Sequence, residues 1–196
     1  MIGSMPIRAA DPAWWAARGV TNGSPKDDYA LANQGQLKRI ALEAGNELNS
    51  FLPGGAGAAI DALISGWTNT ANADDYAVFN LGQLKSVAIP FYDRLVTAGL
   101  ASGYPWTATT ADDDDYATAN IGQLKYVFRF SRDNDEDGID DLWEIQVVGS
   151  LGVLNGGSDA DGDGASDLAE FAANTSAVDP APALTLTEPG WAPLLP

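Results

Sequence analysis

The sequence predicts a mainly α-helical protein with three parts: a helical repeat region, two acidic loops with exiting helices, and a short extended tail. Three observations support this. The segment D-D-Y-A-x-x-N-x-G-Q-L-K occurs three times, and a twelve-residue acidic pattern occurs twice after it. Four prolines lie in the last sixteen residues. We therefore divide the chain into residues 1–132, 133–180 and 181–196, the last part being a Pro-rich tail or strand.

The three copies of the repeated segment begin at Asp27, Asp74 and Asp114 and align without gaps. Within each copy, the Asn is a favoured helix N-cap, and the Gln three residues later has the spacing of a capping box. The residue before the Asn and the Leu after the Gln can add a hydrophobic staple. Each copy therefore predicts the start of a helix.

Apolar periodicity and helix-breaking residues predict where the helices run. We expect helices from Asn33 to the Pro-Gly-Gly stop at 53–55, over Ala58–Ser65, from Asn80 towards Leu100, and from Asn120 to about Phe130. Pro90 should kink or split the third of these. Tryptophans lie in the connections between the copies, so the region is predicted to be an α-helical repeat unit.

The copies permit three interpretations. In the first they stack, with Tyr, Leu and Trp side chains forming the core. In the second the aligned Asp-Asp-Tyr and Trp side chains form a binding surface for a sugar or a partner protein. In the third, Lys–Asn isopeptide bonds cross-link one copy to the next, since Lys38 and Asn33 are too close along one helix to join each other.

Two twelve-residue acidic loops follow the copies: loop 1 is residues 133–144 and loop 2 is residues 159–170. Both have carboxylates at positions 1, 3, 5, 9 and 12 and a glycine at position 6, which is the EF-hand-like pattern for calcium. Calcium takes six to eight oxygen ligands, including the carbonyl of position 7 and a bidentate Glu at position 12. The predicted ligands are Asp133, Asp135, Asp137, Ile139, Asp141, Glu144, Asp159, Asp161, Asp163, Ala165, Asp167 and Glu170. We expect about two calcium ions per chain.

The loops differ from a regular EF-hand at position 8, where Asp140 and Ser166 replace the usual apolar residue. We therefore do not expect the β-pairing that couples two EF-hand loops. Exiting helices are predicted at Asp141–Val148 and Asp167–Ala173. The alternative is a pair of solvated acidic turns that hold no metal.

The pattern D-x-D-x-D-G-x-x-D-x-x-E resembles the bacterial thrombospondin type 3-like calcium repeat. The combination of GQLK copies with these loops is similar to segments of large secreted or surface proteins of Verrucomicrobia-like bacteria, over roughly residues 12–180. This resemblance implies an extracellular or cell-surface location. It implies no established activity for the copies.

Charge is distributed unevenly along the chain. Residues 1–132 have a net charge of −3, whereas residues 133–196 contain fourteen acids and no base. Such a region repels itself unless cations neutralise it. Nucleic acid is an unsuitable partner for this chain, because phosphate binding requires clustered Lys and Arg.

Composition also restricts the chemistry. The chain has neither His nor Cys, which excludes thiol catalysis, disulfides and ordinary zinc sites. The acidic pairs recur with the repeat, and a catalytic residue is rarely triplicated, so we expect no enzyme. No apolar run is long enough to span a membrane. The N-terminal segment lacks the apolar core of a signal peptide, and we expect an internal part of a longer chain.

Together these features predict a calcium-binding, non-catalytic structural or spacer module of an extracellular bacterial protein. One alternative is a calcium-dependent self-assembling or adhesive surface protein. A second is a glycan-acting enzyme domain that uses the Asp-Asp-Tyr copies. The expected partners are calcium, neighbouring domains of a longer chain and other copies of this chain.

Overall fold

A computed structural model of the chain describes residues 12–20, 28–67, 73–106 and 113–180. Within these ranges the protein is mainly α, as predicted, with seven α-helices, two 3-10 helices and no strand. The α-helices are α1 Ala13–Ala17, α2 Gln34–Phe51, α3 Ala58–Ser65, α4 Leu81–Thr97, α5 Ile121–Val127, α6 Asp141–Val148 and α7 Asp167–Ala173. The 3-10 helices are Ala73–Tyr76 and Asp113–Tyr116. The Pro-rich tail or strand predicted for residues 181–196 lies outside the described residues.

The chain forms two compact units, Met1–Asn134 and Asp135–Pro196. The division falls inside loop 1, between its second and third residues. The first unit contains the copies and helices α1 to α5. The second contains α6, α7 and nearly all of the acidic pattern.

The capping boxes predicted for all three copies are confirmed. Asn33, Asn80 and Asn120 each accept a hydrogen bond from the amide of the Gln three residues later. The side-chain oxygen of that Gln accepts from the Asn amide in return, at 2.9–3.0 Å. Since two otherwise unpaired amides are satisfied at each start, the repeated motif fixes where α2, α4 and α5 begin.

Helix α2 buries the face that the sequence predicts: Leu37, Ile40, Ala41, Ala44 and Leu48. It packs against α3 through Gly45. A methyl group at Gly45 would lie 2.2 Å from the Cδ1 atom of Ile64 and 3.2 Å from Cγ2 of Ile60, so a larger residue would force these side chains to move. Ile60 and Ile64 of α3 are buried by this contact.

The three copies close into a ring within the first unit. The capping Asn of each copy forms a backbone bridge with the residue at the fifth position of the next copy. The bridges are Asn33 with Val78, Asn80 with Thr118, and Asn120 with Leu31. Because the third bridge returns to the first copy, the arrangement has pseudo-threefold symmetry. The amides of Gln34, Leu81 and Ile121 donate to the carbonyls of Ala77, Ala117 and Ala30 in the same cyclic order, each at 2.9 Å.

Ion pairs follow the same cycle. Lys38 pairs with Asp75 at 2.6 Å, Lys85 pairs with Asp115, and Lys125 pairs with Asp28 at 2.6 Å. The lysines thus contact aspartates of the next copy, and the asparagines proposed for isopeptide bonds serve as helix caps.

The glycine of each copy lies at the same joints. A methyl group on Gly35 would lie 3.2 Å from the backbone carbonyl oxygen of Asp75, and one on Gly82 would lie 3.4 Å from that of Asp115. The amide of Gly122 donates to the carbonyl of Asp28 at 2.8 Å. A larger residue at Gly35 or Gly82 would therefore press on the backbone of the next copy.

The prediction that the copy tyrosines belong to the core is wrong. Tyr29, Tyr76 and Tyr116 are 74%, 87% and 83% exposed. In each copy the sixth position is buried, whereas the third and fifth positions are exposed. The leucine of each copy is buried as predicted, and so are Trp15 and Trp106.

Two predicted helix boundaries also need correction. Pro90 does not split α4, which runs to Thr97, because buried side chains on both sides of the proline, Ala88 and Phe91 among them, outweigh its cost of about 3 kcal/mol. Helix α5 ends at Val127 rather than near Phe130. Phe128 and Phe130 instead pack against Phe91, and their carbonyls accept hydrogen bonds from the buried Arg18 of the segment after α1.

The second unit has a small core of its own. Ile139 of loop 1 packs with Leu154 and Ala177. Trp143, Val147 and Val148 of α6 and Phe171 of α7 surround this cluster. Helices α6 and α7 have the bounds that the sequence predicts.

Candidate metal centres

Both acidic loops turn sharply at position 6, as predicted. Gly138 and Gly164 have φ angles of 96° and 99°, a region that strongly favours glycine. One oxygen of the preceding aspartate then accepts from the amide of position 7 at 2.8 Å, joining Asp137 to Ile139 and Asp163 to Ala165. The same local geometry therefore forms twice.

The polar residue at position 8 is explained by its role as a helix cap. Asp140 accepts from the amides of Leu142 and Trp143, and Ser166 accepts from the amide of Ala169. Helices α6 and α7 consequently begin at position 9 of each loop. The glutamate at position 12 lies in the first helical turn, where Glu144 and Glu170 are both buried.

Eight of the ten predicted carboxylates meet in groups that could hold a metal ion. Each group has oxygens within 4.8 Å of one another: Asp133, Asp135 and Asp141; Asp135, Asp137 and Glu144; and Asp159, Asp161 and Asp163. The first two groups share Asp135 and belong to loop 1. Asp167 and Glu170 of loop 2 are not in such a group.

Buried oxygens without hydrogen-bond partners are concentrated in these loops. Both carboxylate oxygens of Glu144 lack a partner, and the residue is fully buried. Oε2 of Glu170 also lacks one, and that residue is 2% exposed. Across the described parts of the chain, every buried side-chain oxygen or nitrogen in this condition belongs to loop 1 or loop 2. An unpaired buried carboxylate is costly, so these atoms require a cation or a proton.

The pKa of each buried glutamate reflects this environment. Burial raises the pKa of Glu144 to about 7, with further contributions from the charges of Asp135 and Asp137. The amide of Gly152 opposes this shift, although it lies outside hydrogen-bonding geometry. Burial, followed by Asp161 and Asp163, also raises the pKa of Glu170. A bound divalent cation would favour the charged form of both groups.

Asp167 is held by its own loop rather than by the carboxylate group. Its oxygens accept hydrogen bonds from the hydroxyl of Ser158 and from the amides of Asn155 at 3.2 Å and Ala160 at 2.9 Å. Burial acts to raise the pKa of Asp167, but these donors outweigh it and the pKa is lowered. Asp167 therefore remains charged. The hydrogen bonds that it accepts join the residues at the start of loop 2 to the exiting helix α7.

Sequence reasoning missed two features of the site. The first is position 4, which has a left-handed backbone in both loops, with φ of 60° at Glu136 and 78° at Gly162. The glycine in loop 2 was the available signal. The second is the set of hydrogen bonds that Asn155 and Ser158 donate to Asp167. The turn-forming residues before loop 2 were its only indication in the sequence.

The donor atoms of these groups are all carboxylate oxygens, which suit hard divalent cations. The second unit contains no Lys or Arg, so none of its acids can pair with a base from the same unit. The residues present therefore fit a bound cation in each loop. Among the described helices, none has the length and apolar character needed to cross a membrane.

Comparison of the chain with models of known protein families, with curated proteins and with solved structures gives no match. The assignment of the site therefore depends on its own geometry.

Proposed function

We propose that the chain is a calcium-binding, non-catalytic structural or spacer module of an extracellular bacterial protein. One observation carries this proposal. Glu144 and Glu170 place buried oxygens without hydrogen-bond partners beside carboxylates of the same loop, at the position where a calcium loop has its closing ligand.

Calcium suits these loops better than magnesium. Loop 1 brings five carboxylates into two overlapping groups, and a ligand set this rich in charged oxygens matches the six to eight ligands of calcium. Magnesium prefers a strict octahedron in which several waters are retained, usually with only one or two carboxylates. We propose about one ion in each loop, or about two per chain.

The first unit supports a structural rather than a catalytic role. In each copy, one aspartate of the Asp-Asp pair lies against a lysine of the neighbouring copy, so these carboxylates serve the joints of the ring. The second unit depends on cations for neutralisation. Calcium-binding modules outside the cell often have dissociation constants of about 0.1–1 mM, and millimolar calcium would keep such sites filled and the fold stabilised.

The test is a calorimetric titration of calcium into the chelator-treated full chain, repeated with Glu144→Gln and Glu170→Gln. Each variant keeps the shape of the side chain and removes its charge. We expect two sites in the native chain and one unaltered site in each variant, with affinity at the other lowered by at least about tenfold. Glu136→Gln is the matched control, because it removes one charge from loop 1 at a position outside the carboxylate groups.

The proposal fails if the native chain binds no calcium, or if Glu136→Gln lowers affinity as much as Glu144→Gln. In that case the loops attract cations only through their overall charge. Magnesium added at the same concentrations should bind at least about tenfold more weakly, since several carboxylates in one loop suit calcium better than magnesium, which usually binds one or two.

A further inference from the structure

Almost every residue type repeated in the three copies has a defined task in closing the ring. The second Asp and the Lys form the ion pair between copies, the Asn and Gln form the capping box, and the Leu is buried. The Gly permits close approach of the neighbouring copy, and the Ala carbonyl accepts a hydrogen bond across each joint. These residues are retained because the ring requires them.

The tyrosine, like the first Asp of each copy, is not among these residues. Tyr29, Tyr76 and Tyr116 occupy the same position of each copy, yet all three are largely exposed. None of the hydrogen bonds or ring contacts found among the described residues involves them. Burying an aromatic ring stabilises a protein, whereas exposing three of them gives the first unit nothing. The described contacts of this unit therefore do not account for their repetition.

These tyrosines belong to a set of exposed apolar side chains from the three copies, which we call the tyrosine face: Tyr29, Leu31, Tyr76, Val78 and Tyr116. These five are half of the ten exposed large apolar side chains of the described residues. Thr118 takes the place of Leu31 and Val78 in the third copy and is also exposed. Because the copies are related by pseudo-threefold symmetry, the face presents three equivalent aromatic positions around one axis.

Acidic side chains lie close to the tyrosines along the sequence. Asp74 and Asp114 are exposed and lie two residues before Tyr76 and Tyr116. The only base within each twelve-residue copy is the Lys that pairs across the joint. Two such faces from two copies of the chain would bring like charges together, which disfavours self-association through this surface.

We propose that the tyrosine face is a docking site for a protein segment that carries several Arg or Lys side chains. A cation over an exposed aromatic ring is attracted to it, and the neighbouring carboxylates add charge complementarity. Three equivalent positions allow one segment to engage several rings at once, so weak contacts combine into measurable affinity. This role is separate from calcium binding and does not depend on it.

The probe is a set of fluorescein-labelled dodecapeptides with three Arg or Lys residues spaced by Gly and Ser. Matched peptides carry Glu in their place. Binding to the full chain is measured by anisotropy at saturating calcium, so that the acidic loops are neutralised. The variant is Tyr29→Ser/Tyr76→Ser/Tyr116→Ser, and the control is Ile89→Ser/Val96→Ser, which removes two exposed apolar residues of α4.

We expect cationic peptides to bind the native chain, and the triple variant to lose about tenfold or more in affinity while the control does not. Glu peptides should not bind. Should the triple variant fail to fold, Tyr76→Ser and Asp74→Asn/Asp114→Asn provide separate tests, each with a smaller loss.

Equal binding by the native chain and the tyrosine variants would overturn the proposal, and so would the absence of any binding. Sedimentation of the same proteins provides another check. Self-association that depends on the tyrosines would assign the face to a second copy of the chain. Retention on polysaccharide that depends on them would assign it to sugar. Either result would overturn the cationic partner.

Discussion

Loops 1 and 2 place carboxylates at the same five positions of twelve, but they use position 9 differently. In loop 1, Asp141 lies with Asp133 and Asp135 in a group that could hold a metal ion. In loop 2, Asp167 accepts hydrogen bonds from Ser158 and two backbone amides. The residue preceding position 1 is Ser158 in loop 2, where its hydroxyl donates to Asp167, and Arg132 in loop 1. Equal spacing therefore does not give equal roles.

Position 7 shows a second difference. Ile139 of loop 1 is fully buried and belongs to the core of the second unit, whereas Ala165 of loop 2 is only partly buried. Loop 1 is thus tied to the core by its own side chain. Loop 2 is held instead by the hydrogen bonds that Asp167 accepts. Four predictions test this contrast, from the largest expected effect to the smallest.

Ile139→Ala should have the largest effect. It removes a fully buried side chain between Leu154 and Ala177, and such changes lower the free energy of unfolding by about 2–5 kcal/mol. The measurement is hydrogen exchange of amides in residues 135–180 with calcium present. Ala165→Gly is the matched change in loop 2 and should cost less than about 1 kcal/mol. Equal effects would show that the core does not distinguish the loops.

The metal-free second unit should become less stable as pH rises from about 4.5 to about 7. Burial raises the pKa of Glu144 to about 7, so the folded state binds a proton that the unfolded state has released in this range. The stabilisation from protonated Glu144 is fully present below the pKa of this group in the unfolded state. It is lost as pH rises through the pKa of the group in the folded state. The loss is about 3 kcal/mol at most, at about 1.4 kcal/mol for each pH unit. Denaturant unfolding with chelator present measures it.

Glu144→Gln is the control for this pH dependence, because glutamine does not titrate. The slope due to loop 1 should disappear in that variant, leaving the smaller contribution of Glu170. Saturating calcium should reverse the trend in the native chain, since the ion and the proton compete for the same carboxylate. An unchanged slope in Glu144→Gln would contradict the assignment to this residue.

Asp167→Asn should chiefly affect folding, and Asp141→Asn should chiefly affect metal binding. Removing the charge that holds Ser158 and the amides of Asn155 and Ala160 should cost about 1–3 kcal/mol in the metal-free chain. Asp141→Asn relieves repulsion among carboxylates and should instead lower the calcium affinity of loop 1, measured by calorimetry in a Glu170→Gln background. The proposed difference between Asp167 and Asp141 is wrong if both variants change stability and calcium affinity by similar amounts.

Glu136→Gly should give the smallest effect, a stabilisation of about 0.5–1 kcal/mol. Glu136 has a φ of 60°, and glycine at this position would remove a steric cost of about 1–2 kcal/mol from the folded state. Glycine also makes the unfolded chain more flexible, which lowers the free energy of unfolding by about 0.4–1 kcal/mol. Gly162→Ala at the same position of loop 2 should destabilise by about 1 kcal/mol. Thermal unfolding of the two variants in calcium measures both; shifts of the same sign would be evidence against a shared backbone requirement.

The sequence was most informative where structure is local. The capping motif at Asn33, Asn80 and Asn120 identifies helix starts because its hydrogen bonds span only three residues. The glycines at position 6 and the bounds of α6 and α7 follow from equally short spacings. Local rules therefore recovered the mainly α fold and eight carboxylates that meet in the loops.

Long-range features could not be read in this way. Ring closure depends on contacts such as Lys125 with Asp28, which are 97 residues apart. An open stack of the three copies and a closed ring would show the same repeat in the sequence. The role of Asp167 likewise depends on where Ser158 folds, because the spacing within loop 2 equals that of loop 1. In both cases, tertiary contacts select between outcomes that the local pattern permits equally.

The closed ring also determines how the first unit would respond to mechanical force. Arg18, near its start, donates to the carbonyls of Phe128 and Phe130 near its end and pairs with Glu47 at 2.8 Å. Tension applied to the two ends of the unit would load this junction before any inner helix. Once the Arg18 junction opened, the force would act next on the joint between the third and first copies. The other two joints would remain intact. The unit would therefore lengthen in steps and could re-form from the part still folded.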